Sequence, residues 1–360
     1  MPDSSTSTRA LVSYQPQDGR LDWKLHDVNL RDIGPDELLV QVVAAGICHT
    51  DLVFSTWPSD LIPYPKVLGH EGSGLVQKVG AGVSRARVGD SVLLSFQYCS
   101  ACKSCSDGHP SLCHQFAALN YDGEAGVYTT PGDTLRGGFF GQSSFANLAI
   151  AKESSVVNVS PHIQNEYELK LFAPMGCGFQ TGLGAVDNVA SAGESDTVVV
   201  LGLGGVGLVS IMAAKLRGCK TIIGVDRLAE RLKLAQNLGA TGVVNTVGEG
   251  VNVSHEIMAL SNGEGASVAI DTTGNMDLIR GSIQWTAHGA QIIIIGVPPP
   301  EATLGIHLIE FMQTGKTIRG CIEGDAMPSE YIPKMIQWYR EGKLPIDKLI
   351  KFYEVCLSAS

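Results

Sequence analysis

From Arg9 to about Asp90 apolar and polar positions alternate in short runs, such as 38–43 and 91–94, broken repeatedly by Gly and Pro. A period of two marks strands with one face buried, so this stretch predicts an antiparallel, barrel-like domain with few helices. From Ser195 the texture changes. Apolar runs at 197–201, 221–225, 267–271 and 291–296 are separated by helix-length amphipathic stretches, among them 208–217. That alternation predicts a doubly wound parallel sheet, and with it an α/β fold class. The junction is expected near 182–193, and no internal repeat or low-complexity linker interrupts the pattern.

Composition narrows the classes. A chain of 360 residues with 44% hydrophobic and 17% charged residues has enough apolar surface for two cores. The net charge of -10 and the lack of a Lys/Arg cluster argue against nucleic acid, whose affinity rests on neutralising phosphates. Residues 1–8 are polar, with neither a basic start nor an apolar core, and are expected to form a disordered tail rather than a secretory signal. The uncharged run 197–214 approaches membrane-spanning length, yet Gly202, Gly204, Gly205 and Gly207 break it, so a strand, turn and helix are expected and no membrane span. Nine cysteines without a signal point to a reducing compartment, by default the cytoplasm.

Four of those cysteines cluster. Cys99, Cys102, Cys105 and Cys113 are separated by two, two and seven residues, in a loop with Gly108 and Pro110. Four thiolates so close can complete a tetrahedron around a structural zinc, which stabilises a loop with little core of its own. Free surface thiols are one alternative. An iron–sulfur cluster is the other, although bacterial ferredoxin runs place three residues before the last cysteine and a proline after it, where this chain has seven residues and His114.

The glycine run Gly202-Leu203-Gly204-Gly205-Val206-Gly207 follows an apolar strand and opens a helix. There glycines permit a tight turn and close approach of backbone to a pyrophosphate, which the helix N-terminus attracts. Asp226 ends the next strand, nineteen residues after Gly207, where an acid takes the ribose hydroxyls and repels a 2'-phosphate. NAD is therefore favoured over NADP, although Arg227 adjoins it. Cys48, His70 and Cys177 are scattered, and taken singly each reads as an ordinary polar pair or packed core residue.

Together, Cys48-His49-Thr50-Asp51, the run from Gly69-His70-Glu71-Gly72 to Gly80, and Gly176-Cys177-Gly178-Phe179-Gln180-Thr181-Gly182 resemble the motifs of zinc-dependent medium-chain alcohol dehydrogenases. The resemblance covers about Arg9 to Val355, with the four-cysteine loop in its usual place. It implies a GroES-like catalytic domain at 1–183 with a return segment at 324–360, and a Rossmann NAD-binding domain at 184–323. It further implies a catalytic zinc on Cys48, His70 and Cys177 with an open position, Glu71 as an alternate ligand, and two zincs per chain. Asp51 resembles the residue that hydrogen-bonds the ligand histidine; a solvated surface carboxylate is its plain alternative. Thr50 resembles the hydroxyl that takes the alcohol's proton, while Val53 stands where many relatives finish that path with histidine. Arg231 resembles the basic residue near the adenosine ribose, Thr181 and Val297 match nicotinamide positions, and His49 matches a pyrophosphate contact.

The expected activity is hydride transfer between a small alcohol and NAD, giving an aldehyde or ketone, in a homo-oligomer. The segment from Gly138-Phe139-Phe140-Gly141 to Phe145 resembles the branch acting on aryl and allylic alcohols, and Trp57 is either a pocket wall or ordinary packing. Benzyl-type alcohols are the first expectation, small aliphatic ones the second. A carbonyl or enal reductase is a further enzyme reading. At the C-terminus the family continues beyond a strand resembling 350–355 with another helix and strand. Cys356 to Ser360 stand there instead, so weaker NAD binding or lower stability is expected. That departure also motivates the rival reading, a non-catalytic zinc- and nucleotide-binding protein.

Overall fold

The alternating N-terminal runs pair as strands in the computed structural model, which describes residues 6–248 and 250–354. Strand Thr6–Gln17 pairs antiparallel with Arg20–Leu30, and Glu124–Thr130, Asp133–Gly137 and Lys66–Val67 complete a closed barrel. Inward-facing Val12, Val28, Leu30, Val67, Tyr128 and Leu135 fill it. A second sheet runs in the order Val156–Asn158, Ser91–Leu94, Glu71–Val79, Glu37–Gly46, Leu148–Lys152. The expected N-terminal tail is in part a strand. Thr6, Ser7 and Thr8 pair with Leu30, Asn29 and Val28, and the buried Thr8 hydroxyl accepts from Leu148 N at 3.1 Å, so ladder pairing outweighs local polarity. Residues 1–5 lie outside the described residues.

The C-terminal apolar runs form a six-stranded, wholly parallel sheet. Its order is Gly242–Asn245, Thr221–Asp226, Thr197–Leu201, Ala266–Asp271, Thr286–Ile294, Thr317–Gly320. Helices Gly205–Leu216, Ala229–Leu238, Val253–Leu260, Met276–Trp285 and Leu308–Thr314 supply the crossovers. The first of these begins at Gly205 rather than 208, because the glycine turn is itself the helix's first turn. Strand Thr197–Leu201 is paired on one side with the next strand in sequence and on the other with Ala266–Asp271. The connections diverge there, leaving a crevice at the carboxyl ends of the strands, where such sheets bind ligands.

Helix Gly178–Gly184, running into the π-turn Ala185–Val189, packs on helix Gly205–Leu216. A Cβ at Gly182 would stand 2.4 Å from Val206 O, so only glycine allows this approach. Helix Pro328–Arg340 then buries Tyr331, Ile332, Met335 and Ile336 in the largest core. Residues 350–354 do not form the expected strand: positions 351–354 are all exposed, so there is no apolar face to hold a ladder. Residues 355–360 lie outside the described residues. Among the described residues no helix is long and apolar enough to cross a membrane.

Candidate active site and metal centres

Three distant side chains converge between the barrel side and the parallel sheet. Cys48 caps the short helix His49–Phe54, His70 sits fully buried just before strand Glu71–Val79, and Cys177 precedes helix Gly178–Gly184. Their ligand atoms all lie within 4.8 Å of one another. Glycines permit it: Gly69 has φ +89°, and a Cβ at Gly176 would fall 1.9 Å from Leu94 O. One carboxylate wires the group together. Asp51, fully buried, accepts from Gly69 N and pairs with His70 Nδ1 through Oδ1, both at 3.0 Å, and accepts from Cys48 N through Oδ2 at 3.0 Å. The plain alternative of a solvated surface carboxylate is thereby excluded. With Nδ1 hydrogen-bonded to Asp51, Nε2 is the ring nitrogen left to ligate, and this atom is buried with no hydrogen-bond partner.

That orphaned nitrogen beside two thiols fits a metal ion. The Cys177 thiol, and then the His70 ring, pull Cys48 well below the ordinary thiol range against its burial. The Cys48 contact, burial and the negative Glu323 push Cys177 well above it. One sulfur is thus a thiolate and its neighbour is held as a thiol, and a divalent cation would supply the positive charge that lets both be thiolates. Glu71 stays outside the three-ligand cluster; burial raises its carboxyl well above the usual range, and it accepts from Gly178 N at 3.1 Å. Thr50 is half-buried, its hydroxyl 3.6 Å from Cys48 Sγ.

An aromatic cluster walls the ligand set. The Phe140 ring stacks on His70 at 4.5 Å and 25°, Phe139 meets it edge-on at 5.5 Å, and Phe54 stacks on the half-buried Trp57 at 4.7 Å. Phe140 takes a φ of 53°, a left-handed conformation that bulky residues avoid and that neighbouring structure must enforce. Gln142, two residues on, ties this turn to the segment of the ligand histidine. Its amide donates to His70 O and Ser95 O and accepts from Gly72 N. Sequence reading missed the roles of Gln142, Gln180 and Glu323. Only the Gly138–Gly141 motif hinted at the first.

Cys99, Cys102, Cys105 and Cys113 also meet, with Sγ–Sγ separations of 3.5 Å for Cys102–Cys105 and 3.9 Å for Cys99–Cys105. A tetrahedron with zinc–sulfur arms of roughly 2.3 Å has edges of roughly 3.8 Å. An iron–sulfur cluster, with sulfides between its irons, would hold the thiolates farther apart.

At the crevice, Gly202 has φ +85°, and a Cβ at Gly207 would stand 1.9 Å from Gly202 O, while one at Gly204 would meet nothing within 4 Å. The backbone is thus open to a phosphate at the start of a twelve-residue helix. The Gly205 and Val206 positions carry that opening into the first turn. Asp226, buried, accepts from Leu203 N at 2.7 Å and Leu228 N at 2.9 Å, and Arg231 approaches it at 3.8 Å. Thr181 is buried four residues from Cys177, His49 is exposed, and Val297 is exposed beyond strand Thr286–Ile294, its carbonyl against Gly274.

Known proteins resemble this chain over most of its length. Residues 34–161 match the family described as alcohol dehydrogenase GroES-like domain, and residues 205–341 that described as zinc-binding dehydrogenase. A geraniol dehydrogenase of Castellaniella defragrans is 38% identical over 88% of this chain and 84% of its own. The chain belongs to the zinc-dependent medium-chain alcohol dehydrogenases. Among solved structures, a zinc-binding-domain alcohol dehydrogenase protein from Burkholderia ambifaria superposes with a TM-score of 0.89, and benzyl alcohol dehydrogenase from Acinetobacter calcoaceticus with 0.87. Each is 35% identical and covers 97% of this chain and 93% of that one. As an alcohol dehydrogenase of this family the protein is a zinc- and NAD-dependent oxidoreductase of alcohols and aldehydes, and the non-catalytic reading is not favoured.

Proposed function

We propose that the enzyme oxidises primary alcohols bearing a flat apolar group, of the aryl or allylic class, and reduces the matching aldehydes. The observation that carries this is the convergence of Cys48, His70 with its orphaned Nε2, and Cys177 against the rings of Phe139, Phe140, Phe54 and Trp57. Such a wall favours planar ligands through stacking and apolar burial. The relatives that act on geraniol and benzyl alcohol by their names support the same class.

In this reading Cys48, His70 and Cys177 hold the catalytic zinc, with Glu71 as an alternate ligand, and Cys99, Cys102, Cys105 and Cys113 hold a structural one. The bound catalytic metal supplies Lewis acidity that favours alkoxide over alcohol near neutral pH. Asp51 fixes the His70 tautomer, and the Thr50 hydroxyl receives the alcohol's proton. Val53, partly buried among apolar neighbours, carries no proton onward, so the path leaves by water or by the cofactor's hydroxyls. NAD, held in the crevice, would supply the hydride acceptor. The turn Gly202–Gly207 and His49 seat its pyrophosphate, Asp226 and Arg231 its adenosine ribose, and Thr181 and Val297 its nicotinamide.

Residues 1–183 with 324–360 make up the catalytic unit and 184–323 the nucleotide unit. Exposed Leu308, Ile309 and Met312, beside the edge strand Thr317–Gly320, support assembly with further copies of the chain. The test is NADH formation with benzyl alcohol, an allylic alcohol and ethanol, together with metal analysis. Two zincs per chain and a kcat/KM at least tenfold higher for the flat alcohols are expected. A preference for ethanol would overturn the substrate class, and a Thr50→Val variant with wild-type kcat would remove the proton role.

A further inference from the structure

The segment Glu323–Asp325 has a backbone that side chains normally refuse. Glu323, Gly324 and Asp325 all take left-handed φ, at 52°, 68° and 47°. Two of the three are not glycine, so the surroundings must enforce the conformation. They do so from two sides. A Cβ at Gly324 would stand 2.2 Å from Gln180 O, and one at Gly184 2.1 Å from Gly324 O, so the segment lies directly on helix Gly178–Gly184. Asn188 Nδ2 donates to Gly324 O at 3.0 Å from the adjoining turn.

The two flanking carboxylates reach in different directions. Glu323, buried, lies beside the Cys177 thiol and accepts from Gln180 Nε2 at 2.8 Å; the same amide reaches Gly176 O at 2.7 Å and Ser95 Oγ at 2.9 Å. It therefore braces the peptide that carries Cys177. Asp325 turns the other way. It accepts from the buried Ser111 Oγ at 2.9 Å and pairs with His109 Nδ1 at 2.9 Å, with Arg319 behind it at 3.6 Å. Ser111 and His109 lie between Cys105 and Cys113, inside the four-cysteine loop.

We propose that Glu323–Asp325 is a clasp that positions Cys177 against the closed four-cysteine loop, with Asp325 acting on the catalytic ligand without touching it. Three left-handed residues held at both ends have little freedom, so release of the loop at Asp325 relaxes the segment and, through Glu323 and Gln180, the seat of Cys177. The four-cysteine loop thereby does more than stabilise itself: its closure is felt at the catalytic centre. Asp325 and Glu323 are positioning residues. The inference rests on Cys48, His70 and Cys177 being the catalytic ligands.

The test uses the full-length enzyme with cobalt(II) at the catalytic position, comparing wild type, Asp325→Ala, Asp325→Asn and Ser111→Ala. Visible cobalt–thiolate absorption and amide hydrogen exchange of residues 178–184 are recorded beside kcat, KM and melting. Asp325→Ala is expected to alter the cobalt spectrum, to speed exchange in 178–184 at least fivefold and to lower kcat with little change in KM for NAD. Asp325→Asn, which still accepts from Ser111, recovers most of each effect. Ser111→Ala, which removes a single hydrogen bond and preserves folding, gives a smaller change of the same kind. If Asp325→Ala and Ser111→Ala speed exchange only within 99–113 and leave 178–184 and the spectrum as in wild type, the clasp is refuted. If the wild type shows no cobalt–thiolate absorption, the ligand assignment falls instead, and the exchange data decide the clasp separately.

Discussion

Asp51 is the most informative residue to perturb, because one buried carboxylate serves three donors on two ligand-bearing segments. Oδ1 serves both Gly69 N and His70 Nδ1, and Oδ2 serves Cys48 N. Asp51→Asn preserves the shape, so its effect isolates the hydrogen bonding. With the amide oxygen in the Oδ1 place, Gly69 and His70 stay satisfied, but an NH2 group faces Cys48 N–H. With the amide reversed, Cys48 is satisfied, but the NH2 group then faces Gly69 N–H, and His70 must move its proton to Nε2, the nitrogen needed as a ligand. One buried donor left unmatched costs about 1–3 kcal/mol. Losing the partner that orients a ligating histidine lowers metal affinity about 10–100-fold, or about 1.4–2.7 kcal/mol, so the reversed amide, which also strands Gly69 N–H, is the costlier route. Asp51→Ala strands all three donors and should cost roughly 3–9 kcal/mol, a large share of the about 5–15 kcal/mol typical of a folded protein. Zinc affinity by chelator competition and the urea midpoint measure both. An Asp51→Asn enzyme with wild-type zinc affinity and an unmoved midpoint would refute the reasoning.

Three further outcomes follow from the same structure. Burial, aided by the nearby Arg136 charge, lowers the fully buried Lys66 amine to about 7 from its ordinary 10.5. The unfolded chain then binds one more proton between those values, so stability rises with pH across that window. Lys66→Met should abolish the rise and be the more stable protein at pH 7, and parallel pH profiles of melting temperature would contradict this. Burial alone would raise the Glu37 carboxyl, but hydrogen bonds from Arg31, Lys152 and Gly34 N hold it down at about 2, against an ordinary 4.5. Its contribution is complete above about 4.5 and is lost as pH falls towards 2; Glu37→Gln should flatten that acid limb of the unfolding curve, and an unchanged slope would argue against it. Finally, Gly207→Ala places a methyl 1.9 Å from Gly202 O, backbone that cannot yield, so NADH fluorescence titration should show affinity reduced at least tenfold. Wild-type affinity there would remove the glycine turn from the cofactor site.

Much of the architecture is local in origin and was readable. The strands Ser91–Leu94 and Thr197–Leu201 occur at the predicted residues, because a strand's two-residue period and a continuous apolar run depend only on near neighbours. Element ends were less legible. The strand predicted at 291–296 is Thr286–Ile294, and the helix predicted from 208 starts at Gly205 within its own glycine turn. The expected tail at Thr6–Thr8 became strand because its partner, Val28–Leu30, lies across a hairpin, and residues 351–354 did not become strand because they bury no face.

The sequence by itself determined the kinds of chemistry available: a four-cysteine loop, a glycine turn ahead of a helix with an acid beyond it, and two cysteines and a histidine of no fixed spacing. Tertiary structure alone decided that Cys48, His70 and Cys177 share one centre, that Asp51 joins two of them, and that Glu323 and Asp325 span from Cys177 to the loop at His109 and Ser111. The physical reason is range. Hydrogen bonding and burial along one element follow from adjacent residues, whereas the meeting of side chains from the barrel, the second sheet and the connecting helix depends on how those elements pack, here on glycines whose backbones touch at Gly176, Gly182 and Gly324.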